Sequence, residues 1–518
     1  MADSLTITKA ELFKLIKDLK NRTAPGRSGL DKMVLLWFYN YFPEVLLEYF
    51  GDLIRNPKWE LDPATDYLKV RKIIFLAKKN KDPKEVGNYR PISLLETVYK
   101  VISKFLIEKI ALGVYETVSK DQFGFIPTRV MSNCSLTLLA IINALKSRHP
   151  GSFLFFADIS AAFDCAKQQM VHTLLSKLYP DSPVPLQIAL LDRGGRGVVS
   201  VNGGISAPID LTQGTGQGDP ASTIKFSALH HLWLSMIAHA IENAVETDNT
   251  TGPLRQLRID MEHIRAPGFD APVATTSTRE LMQKLPKSLR PVAFADDSVF
   301  AFKIPNTEEA REALMRLLAD LAALTGLRVN VRKSEVLLMQ SNLPQAAIDL
   351  VSKFGEVKTC VTHLGVDIAV DYDVGYEATY QKGAQAMDKA LSRVSAHTGT
   401  SNLLVKAQAT NSLVTAVNLH RYRVYPPSNK TVKEQWNKIR QAMWTSTYMG
   451  KSYGRPKIAK HKVTRPLKQG GLGLINPEHA ATTSVLSSMG SLFKHCYINP
   501  TCTFNALVYV TESTKKTA

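Results

Sequence analysis

The sequence predicts an α+β fold in which an antiparallel sheet presents acidic residues at one edge and helices pack behind it. Residues 290–302 have the pattern of two short apolar strands, with Asp296 and Asp297 at the turn that joins them. A similar apolar run, residues 153–157, is followed by Asp158. Two strands that place carboxylates at one edge can bind a pair of magnesium ions, which can drive phosphoryl or nucleotidyl transfer. An isolated Asp-Asp pair is weak support for catalysis, because such pairs also cap or solvate turns.

Length and composition indicate a globular protein with a polyanionic partner. The chain has 518 residues, of which 45% are apolar, so two or three packed units are expected. A net charge of +18 favours nucleic acid as the partner, with a membrane surface as the alternative. The longest nearly apolar stretch, residues 226–241, contains three histidines and is shorter than the roughly 20 residues that a membrane span requires. No transmembrane helix is predicted.

The N-terminal residues have neither the basic nor the apolar region of a secretory signal. An intracellular location, in the cytoplasm or the nucleus, is therefore expected. The five cysteines are scattered along the chain and form no closely spaced pair of pairs. This spacing indicates free thiols, and it favours neither a disulfide framework nor a four-ligand zinc site.

Capping, strand and helical patterns place the elements before Asp158. Thr8 and Glu11 form a capping box, which predicts a helix that runs to about residue 20. A basic hairpin follows, with strands at residues 71–76 and 89–93 and a polar turn at residues 78–83. Helical spacing then recurs over residues 95–112 and 133–145.

After Asp158 the predicted order is a helix over residues 170–178, a hairpin at 198–205 and a glycine-rich loop at 212–220. The loop leads into an apolar helix over residues 226–241. Residues 242–290 are polar and weakly periodic, which indicates an insertion with partial order. An amphipathic helix is predicted for residues 307–324, and Gly326 is expected to end it and to open another strand.

Most of the positive charge lies between residues 401 and 470. This segment contains 14 lysines and arginines and one acidic residue, Glu434, so its net charge is +13. Six tyrosines and tryptophans lie among the cations. Cations interleaved with aromatic rings suit binding to a nucleic-acid strand or duplex. The alternative is a solvated helix face, which the near absence of acidic residues disfavours.

Several motifs occur in an order that resembles the reverse transcriptases of non-LTR (LINE-like) retrotransposons, over about residues 8–480. They are Arg-Pro-Ile-Ser at 90–93, Phe-Phe-Ala-Asp-Ile-Ser-Ala-Ala-Phe-Asp at 155–164, Gln-Gly-Asp-Pro-Ala-Ser at 217–222, Phe-Ala-Asp-Asp at 294–297, Asn-Val-Arg-Lys-Ser at 330–334 and His-Leu-Gly at 363–365. The resemblance implies a right-hand polymerase with fingers, a palm that carries the antiparallel sheet, and a helical thumb. It implies an N-terminal helical extension at 1–60, fingers and a discontinuous palm at 61–370, a thumb at 371–449 and a basic post-thumb segment at 450–518.

The resemblance also implies the chemistry of RNA-directed DNA synthesis. Asp158 and Asp296 would bind two Mg²⁺ ions, which Mn²⁺ can replace, and Asp297 would be a secondary ligand. Lys333 resembles a lysine that protonates pyrophosphate, a general-acid role, although it could equally be surface charge. Phe163 stands where the family places a steric gate against the ribonucleotide 2′-hydroxyl, and a core phenylalanine is the alternative.

The same resemblance places the deoxynucleoside triphosphate between the basic hairpin and the glycine-rich loop. Arg90, Lys78 and Lys79 would contact the triphosphate, with a solvated loop as the alternative for the two lysines. Gln217 and Gly218 would line the pocket, and Gln213-Gly214 is a second candidate for the same role. Asp164 is expected to be structural, and His230 and His231 are expected to pack within a helix.

The expected macromolecular partners are an RNA template, a DNA primer and their RNA:DNA hybrid, with no membrane. The predicted nucleic-acid-binding residues are Arg421, Arg423, Lys438, Arg440, Lys451, Arg455, Lys457 and Lys460. No endonuclease domain is recognisable in the sequence, so one is expected elsewhere in the element. Two alternatives stay open: an RNA-templated RNA polymerase, and a catalytically silent or domesticated nucleic-acid-binding remnant.

Overall fold

A computed structural model describes most of the chain. It covers residues 5–21, 24–55, 66–78, 81–119, 121–244, 252–258, 291–398, 402–444 and 458–496, except for the side chains of residues 398, 460 and 493–496.

Helices account for most of the described residues. In the first half of the chain they are α1 (Lys9–Asp18), α2 (Lys32–Tyr41), α3 (Pro43–Arg55), α4 (Thr97–Thr117), α5 (Met131–Arg148), α6 (Ala162–Cys165), α7 (Gln168–Leu178), α8 (Val184–Asp192) and α9 (Ser222–Glu242). In the second half they are α10 (Glu309–Thr325), α11 (Gln345–Ser352), α12 (Tyr372–Thr398), α13 (Leu403–Thr410), α14 (Ala416–Val424), α15 (Asn429–Trp444), α16 (Lys460–Thr464) and α17 (Pro477–Cys496). A π-helical turn, Asn411–Thr415, joins α13 to α14.

The described strands form three sheets. The strands are β1 (Val70–Ala77), β2 (Tyr89–Leu94), β3 (Ser152–Ala157), β4 (Arg196–Val201), β5 (Gly204–Ile205), β6 (Ile209–Asp210), β7 (Val292–Phe294), β8 (Asp297–Lys303), β9 (Glu335–Leu338), β10 (Glu356–Lys358), β11 (Cys360–His363) and β12 (Val366–Ala369). The sheet that carries the acids, called the central sheet below, has the order β10-β9-β3-β8-β7. A second sheet has the order β2-β1-β4-β5 with β6 beside β4, and β11 pairs with β12.

The sheets are mixed, which corrects the prediction of an antiparallel sheet. In the central sheet β3 is antiparallel to β8 and β9, and β7 is antiparallel to β8, but β9 and β10 are parallel. In the second sheet β1 and β4 are also parallel. Parallel neighbours need a crossover connection, and α11 supplies it between β9 and β10.

The central sheet is buried on both faces. Phe153 and Phe155 of β3 pack into a core that includes residues of α9 and α10, whereas Leu154 and Phe156 face a second core that includes residues of α5 and β12. A strand covered on both faces requires a continuous apolar run, which explains the sequence Phe-Leu-Phe-Phe-Ala at 153–157. The first polar side chain after this run, Asp158, lies where the buried strand ends.

Most predicted elements coincide with observed ones. Thr8 caps α1, and both hydrogen bonds of its capping box with Glu11 are present. The strand predicted directly after Gly326 is wrong: β9 begins at Glu335, and Val329 forms a single bridge with Ile159. Residues 242–290, the predicted insertion, lie largely outside the described residues.

Within the part of the chain that the structure describes, no helix combines the length and the apolar character needed to cross a membrane. Among the described cysteines, Cys134, Cys165 and Cys360 are free thiols.

Candidate active site

The register of the central sheet brings the three acidic residues to one end of it. Ala157 of β3 pairs with Ser298 of β8, and Phe294 of β7 pairs with Asp297 of β8. Asp158 follows Ala157 directly, so it lies beyond the last ladder pair and across from Asp297. The predicted convergence of Asp158 with the acidic turn, residues 294–297, is therefore present in the fold.

The electrostatics of the site confirm that these carboxylates lie near one another. Burial raises the pKa of Asp297 to about 6, and repulsion from Asp296 and Asp158 adds to the shift. The pKa of Asp296 is also raised, mainly by burial and further by Asp158, while Arg90 opposes the shift. Removal from water and mutual repulsion both disfavour the charged form of a carboxylate. A cation between the acids would relieve both effects.

Two residues hold the backbone of Asp158. The Asn330 N–H donates to the Asp158 carbonyl at 2.7 Å, and the Asp158 N–H donates to the Ser334 hydroxyl at 3.1 Å. Ser334 is fully buried, and its hydroxyl in turn donates to the Asn330 carbonyl at 2.9 Å. The motif Asn-Val-Arg-Lys-Ser thus positions Asp158 through its first and last residues. Lys333, predicted as a general acid, lies between them in the turn and is exposed.

Phe163 is fixed in an aromatic stack beside the acids. Its ring lies 4.3 Å from that of Phe226 at an interplanar angle of 23°, and 5.7 Å from that of Phe125 in an edge-to-face contact. The side chain is half-buried, so one part belongs to the core and another part reaches the surface. Both interpretations made from the sequence, gate and core residue, fit this position.

The glycine-rich loop packs closely between α6 and the basic hairpin. The Gln217 amide donates to the two carboxylate oxygens of Asp164 at 3.2 and 3.4 Å, whereas Gln213 is exposed. Gly218 has φ of 128°, and a Cβ at this position would lie 2.4 Å from the Ser93 carbonyl oxygen. Only glycine can adopt this conformation and this approach to β2 without strain. Gly214 (φ of 86°) makes a comparable approach to the backbone of Asp164.

The basic hairpin contributes Arg90 and Lys78 to the site. Arg90 is exposed on β2, and its positive charge partly opposes the rise in the pKa of Asp296 that burial causes. Lys78 donates to the Gly87 carbonyl at 2.9 Å. Burial raises the pKa of Asp164, and Lys78 partly opposes this shift, so Lys78 lies between the hairpin turn and α6. Lys79 lies outside the described residues.

The predicted nucleic-acid-binding residues differ in exposure and in their partners. Lys438 forms an ion pair with Asp388 at 2.8 Å, so its charge is already neutralised. Arg421 is half-buried, and its guanidinium donates to the Val417 carbonyl within the same helix. Arg423 and Arg440 are half-buried too. Lys451, Arg455 and Lys457 lie outside the described residues, as does the side chain of Lys460.

The aromatic residues of this segment belong to cores. Tyr422, Tyr425, Trp436 and Trp444 are all buried, because α14 and α15 turn their apolar faces inward. The inference that they alternate with cations on a binding surface is therefore wrong for these four rings. The exposed cations include Lys430, Lys433, Lys462, Arg465 and Lys468.

Sequence reasoning missed Gln122 and the positioning role of Ser334. Gln122 is fully buried and hydrogen-bonded to Ala295 in the acidic turn, 173 residues away. No local pattern marks it, since it is one polar residue in an irregular loop. His230 and His231 are buried within α9, as expected for packed helix residues.

The acids do not form a closed metal cage. Within the described ranges, no three histidine, cysteine, aspartate or glutamate side chains lie close enough together to hold a metal ion. The donor type nevertheless suits Mg²⁺, which prefers carboxylate oxygens and is commonly bound by one or two carboxylates together with substrate phosphates. Asp158, Asp296 and Asp297 supply carboxylate oxygens of this kind.

Part of the chain matches a known protein family. Residues 77–252 match the family described as reverse transcriptase (RNA-dependent DNA polymerase). The matched residues include the turn and second strand of the basic hairpin, Asp158 and the glycine-rich loop, and the acidic turn follows them in the chain.

Segments of the chain are also similar to mobile-element proteins. The RNA-directed DNA polymerase from mobile element jockey is 29% identical over 163 residues in Drosophila melanogaster and 30% identical over 165 residues in Drosophila funebris, covering 30% of this chain and 17% of each relative. The transposon TX1 uncharacterized 149 kDa protein of Xenopus laevis is 24% identical over 246 residues, covering 46% of this chain and 18% of that protein. The chain thus matches less than a fifth of the length of these relatives. The resemblance predicted from the sequence motifs is confirmed.

Proposed function

We propose that the chain, of which residues 77–252 match the reverse transcriptase family, is an RNA-directed DNA polymerase of a non-LTR retrotransposon. One observation carries the proposal: Asp158 and the acidic turn meet at one end of the central sheet, with Arg90 acting on Asp296 from the basic hairpin. The reaction is transfer of a nucleotidyl group to a primer 3′-hydroxyl, directed by an RNA template. The substrates are deoxynucleoside triphosphates.

The acidic residues would bind two divalent cations, Mg²⁺ or Mn²⁺. Asp158 and Asp296 are the principal ligands, and Asp297 is the secondary one. When bound, such a pair of ions lowers the pKa of the primer 3′-hydroxyl and stabilises the charge on the leaving pyrophosphate. Burial, together with repulsion between the acids, raises the pKa of Asp296 and of Asp297. A bound cation would offset both effects, which supports cation binding at this site.

The residues around the acids would bind the incoming nucleotide. Arg90 would pair with triphosphate oxygens, since its exposed guanidinium is near enough to influence Asp296 and suits phosphate binding. Because Gly218 has no side chain, the nucleotide could approach its backbone closely. The neighbouring Gln217 amide is oriented by its hydrogen bonds to Asp164. Phe163 would exclude the 2′-hydroxyl, because its stack against Phe226 prevents the ring from moving away.

Two further lysines would act on the triphosphate. Lys78 lies close enough to Asp164 to affect its pKa, so its ammonium group is near the proposed nucleotide pocket. Lys333 would donate a proton to the leaving pyrophosphate. Its side chain is exposed on the turn before Ser334, so it is free to rotate toward the pyrophosphate.

The helices that follow the palm would hold the template and primer. We assign residues 1–60 to an N-terminal extension, 61–370 to fingers and palm, 371–449 to a thumb and 450–518 to a post-thumb segment. The exposed cations of this last third, among them Lys430, Lys433 and Lys462, would contact phosphates of an RNA:DNA hybrid.

Primer extension on an RNA template with an annealed DNA primer tests the proposal. Asp158→Asn keeps the size of the side chain and removes its charge, so we expect about a 1,000-fold loss of nucleotide incorporation, equivalent to several kcal/mol of transition-state stabilisation. Asp320→Asn is the matched control, because Asp320 is exposed on α10 and remote in sequence from every proposed site residue. This variant should extend primers at the wild-type rate.

The same assay separates the alternatives. Incorporation that is equal in the wild type and Asp158→Asn would disprove the mechanism. Preference for ribonucleoside triphosphates would indicate an RNA-templated RNA polymerase. Salt-dependent binding of the hybrid without incorporation would indicate a catalytically silent nucleic-acid-binding protein.

A further inference from the structure

The loop of residues 119–129 extends the central sheet beyond β7. The Phe123 N–H donates to the Ala293 carbonyl at 2.7 Å, and the Ala293 N–H donates to the Asp121 carbonyl at 2.9 Å. These two bonds form a parallel bridge between Gln122 and Ala293. The loop therefore lies directly against the strand that leads into the acidic turn.

Arg129 stabilises this loop from within. Its guanidinium donates to three backbone carbonyls of the same segment, those of Val118, Ser119 and Gln122. The side chain is half-buried, and burial lowers its pKa to about 10. Since the carbonyls of Val118, Ser119 and Gln122 share one guanidinium, the loop has little freedom to move away from β7.

Gln122 reaches from this loop into the acidic turn and binds both backbone groups of Ala295. Its side-chain oxygen accepts from the Ala295 N–H at 3.0 Å, and its side-chain nitrogen donates to the Ala295 carbonyl at 3.0 Å. Gln122 is fully buried and Ala295 is only 6% exposed, so water cannot replace either bond. The amide therefore acts as a clamp on a single peptide position.

The clamped position is the conformationally unusual one in the turn. Ala295 has φ of 59°, in the left-handed region that residues other than glycine rarely adopt. Gly124 packs against the same peptide: a Cβ there would lie 2.1 Å from the Ala295 nitrogen. Asp296 is the next residue, so the direction of its side chain depends on the conformation that the clamp maintains.

His230 orients the amide of Gln122. The Gln122 nitrogen lies 2.8 Å from Nδ1 of His230, and Nε2 of His230 lies 3.0 Å from the Ser298 hydroxyl. One amide hydrogen is used for the Ala295 carbonyl, so the other points at Nδ1, which must then accept. A neutral imidazole with its proton on Nε2 donates to the Ser298 hydroxyl and accepts from Gln122 at Nδ1. If the Gln122 amide were rotated by 180°, its nitrogen would face the Ala295 N–H, and two donors would meet.

We propose that Gln122 is a positioning residue for nucleotidyl transfer: its amide holds Ala295 in the left-handed conformation that places Asp296 beside Asp158. The inference rests on the proposed function, because it assigns Gln122 a part in the same reaction. Gln122 touches no reacting atom, and it acts through the backbone of the acidic turn.

Gln122→Met tests the clamp, because methionine has a similar size and can make neither hydrogen bond. Loss of alignment at a metal ligand should lower the rate of incorporation about 30-fold at saturating nucleotide, with little change in KM for the nucleotide. Mn²⁺ affinity, measured by electron paramagnetic resonance without turnover, should fall about 10-fold. Gln187→Met is the control, since Gln187 is a buried glutamine of a different element, α8.

A second variant distinguishes positioning from general destabilisation. Glycine adopts a positive φ without strain, so Ala295→Gly should keep the turn formed when the clamp is missing. The double variant Gln122→Met/Ala295→Gly should recover most of the lost rate and Mn²⁺ affinity. A loss caused by a disturbed core would not be restored by removing one methyl group from the turn.

The outcomes are separable from those of the proposed function. If the wild type incorporates no nucleotide, the proposed function fails, and Mn²⁺ affinity with hydrogen exchange of residues 293–298 still tests the clamp. Faster exchange and weaker Mn²⁺ binding in Gln122→Met, both reversed by Ala295→Gly, support it. Equal Mn²⁺ affinity in Gln122→Met and Gln187→Met, or a loss that Ala295→Gly leaves unchanged, would overturn it.

Discussion

Ala157 pairs with Ser298 across the central sheet, and this one register pair determines which acids can meet. The residues one step beyond it are Asp158, which directly follows β3, and Asp297, the first residue of β8. A shift of one residue would move each side chain to the opposite face of its strand. The apolar residues on both faces of β3 prevent such a shift, because Phe155 and Phe156 pack into different cores.

The three acids should contribute unequally to catalysis. Arg90 opposes the rise in the pKa of Asp296, whereas burial and repulsion from Asp296 and Asp158 raise the pKa of Asp297 to about 6. We expect Asp296→Asn to lose about 1,000-fold in single-turnover incorporation, and Asp297→Asn to lose only about 10- to 100-fold. Rapid-quench primer extension at saturating Mg²⁺ measures both. A larger loss in Asp297→Asn than in Asp296→Asn would reverse the assignment.

Features set by neighbouring residues in the sequence could be predicted. The capping box of Thr8 and Glu11 needs only a three-residue spacing, and it is present in α1. The buried strand β3 could be identified because burial on both faces demands an unbroken apolar run. The acidic turn was predictable for a related reason, as it joins two such runs.

Features set by tertiary packing could not be predicted. Tyr422 and Trp436 lie among lysines and arginines in the sequence, yet both are buried, because helix periodicity separates the apolar face from the charged one. Lys438 forms an ion pair with Asp388, a residue 50 positions away, which no local pattern indicates. The contact between Gln122 and Ala295 spans 173 residues, and no local pattern records it.

Phe163 should determine sugar selectivity. Its ring is held by Phe226 on one side and by the edge of Phe125 on the other. Phe163→Ala should raise the efficiency of CTP incorporation relative to dCTP about 10- to 200-fold, because the space for a 2′-hydroxyl opens. Phe125→Ala should give a smaller change in the same direction, since it removes only the edge contact. Phe13→Ala, at an exposed site on α1, is the control.

An unchanged ratio of CTP to dCTP incorporation in Phe163→Ala, together with a lower melting temperature, would show that Phe163 is a core residue only. The comparison uses the ratio because a general loss of activity affects both nucleotides equally.

Exposed and paired lysines of α15 should differ in their effect on hybrid binding. Lys430 and Lys433 are exposed, whereas Lys438 is paired with Asp388 at 2.8 Å. Each phosphate contact that is lost should reduce the slope of log K against log salt by about one unit. Lys430→Gln/Lys433→Gln should therefore flatten the slope for an RNA:DNA hybrid, and Lys438→Gln should leave it nearly unchanged. A larger change of slope in Lys438→Gln than in Lys430→Gln/Lys433→Gln would place the hybrid on the other side of this helix.

Buried neutral histidines should make the fold sensitive to mild acid. Burial lowers the pKa of His230 to about 3 and that of His363 to about 4. In the unfolded chain each imidazole binds a proton near its usual pKa of about 6.5, while the folded form stays neutral. The unfolded state is therefore favoured as the pH falls below about 6.5, and the stability from neutral burial is fully present only above that pH.

Comparison with a variant isolates the contribution of His230, because Asp297 titrates in the same interval with the opposite sign. His230→Gln retains an amide that can bond to Gln122 and Ser298 but cannot gain a proton. Between pH 7 and pH 5 the wild type should lose about 2 kcal/mol more of its unfolding free energy than this variant, from 1.36 kcal/mol per pKa unit. Urea unfolding at both pH values measures the difference, with His397→Gln as the exposed control. Equal losses in the wild type and His230→Gln would show that His230 gains a proton within the fold. That result would contradict its role as an acceptor for the Gln122 amide.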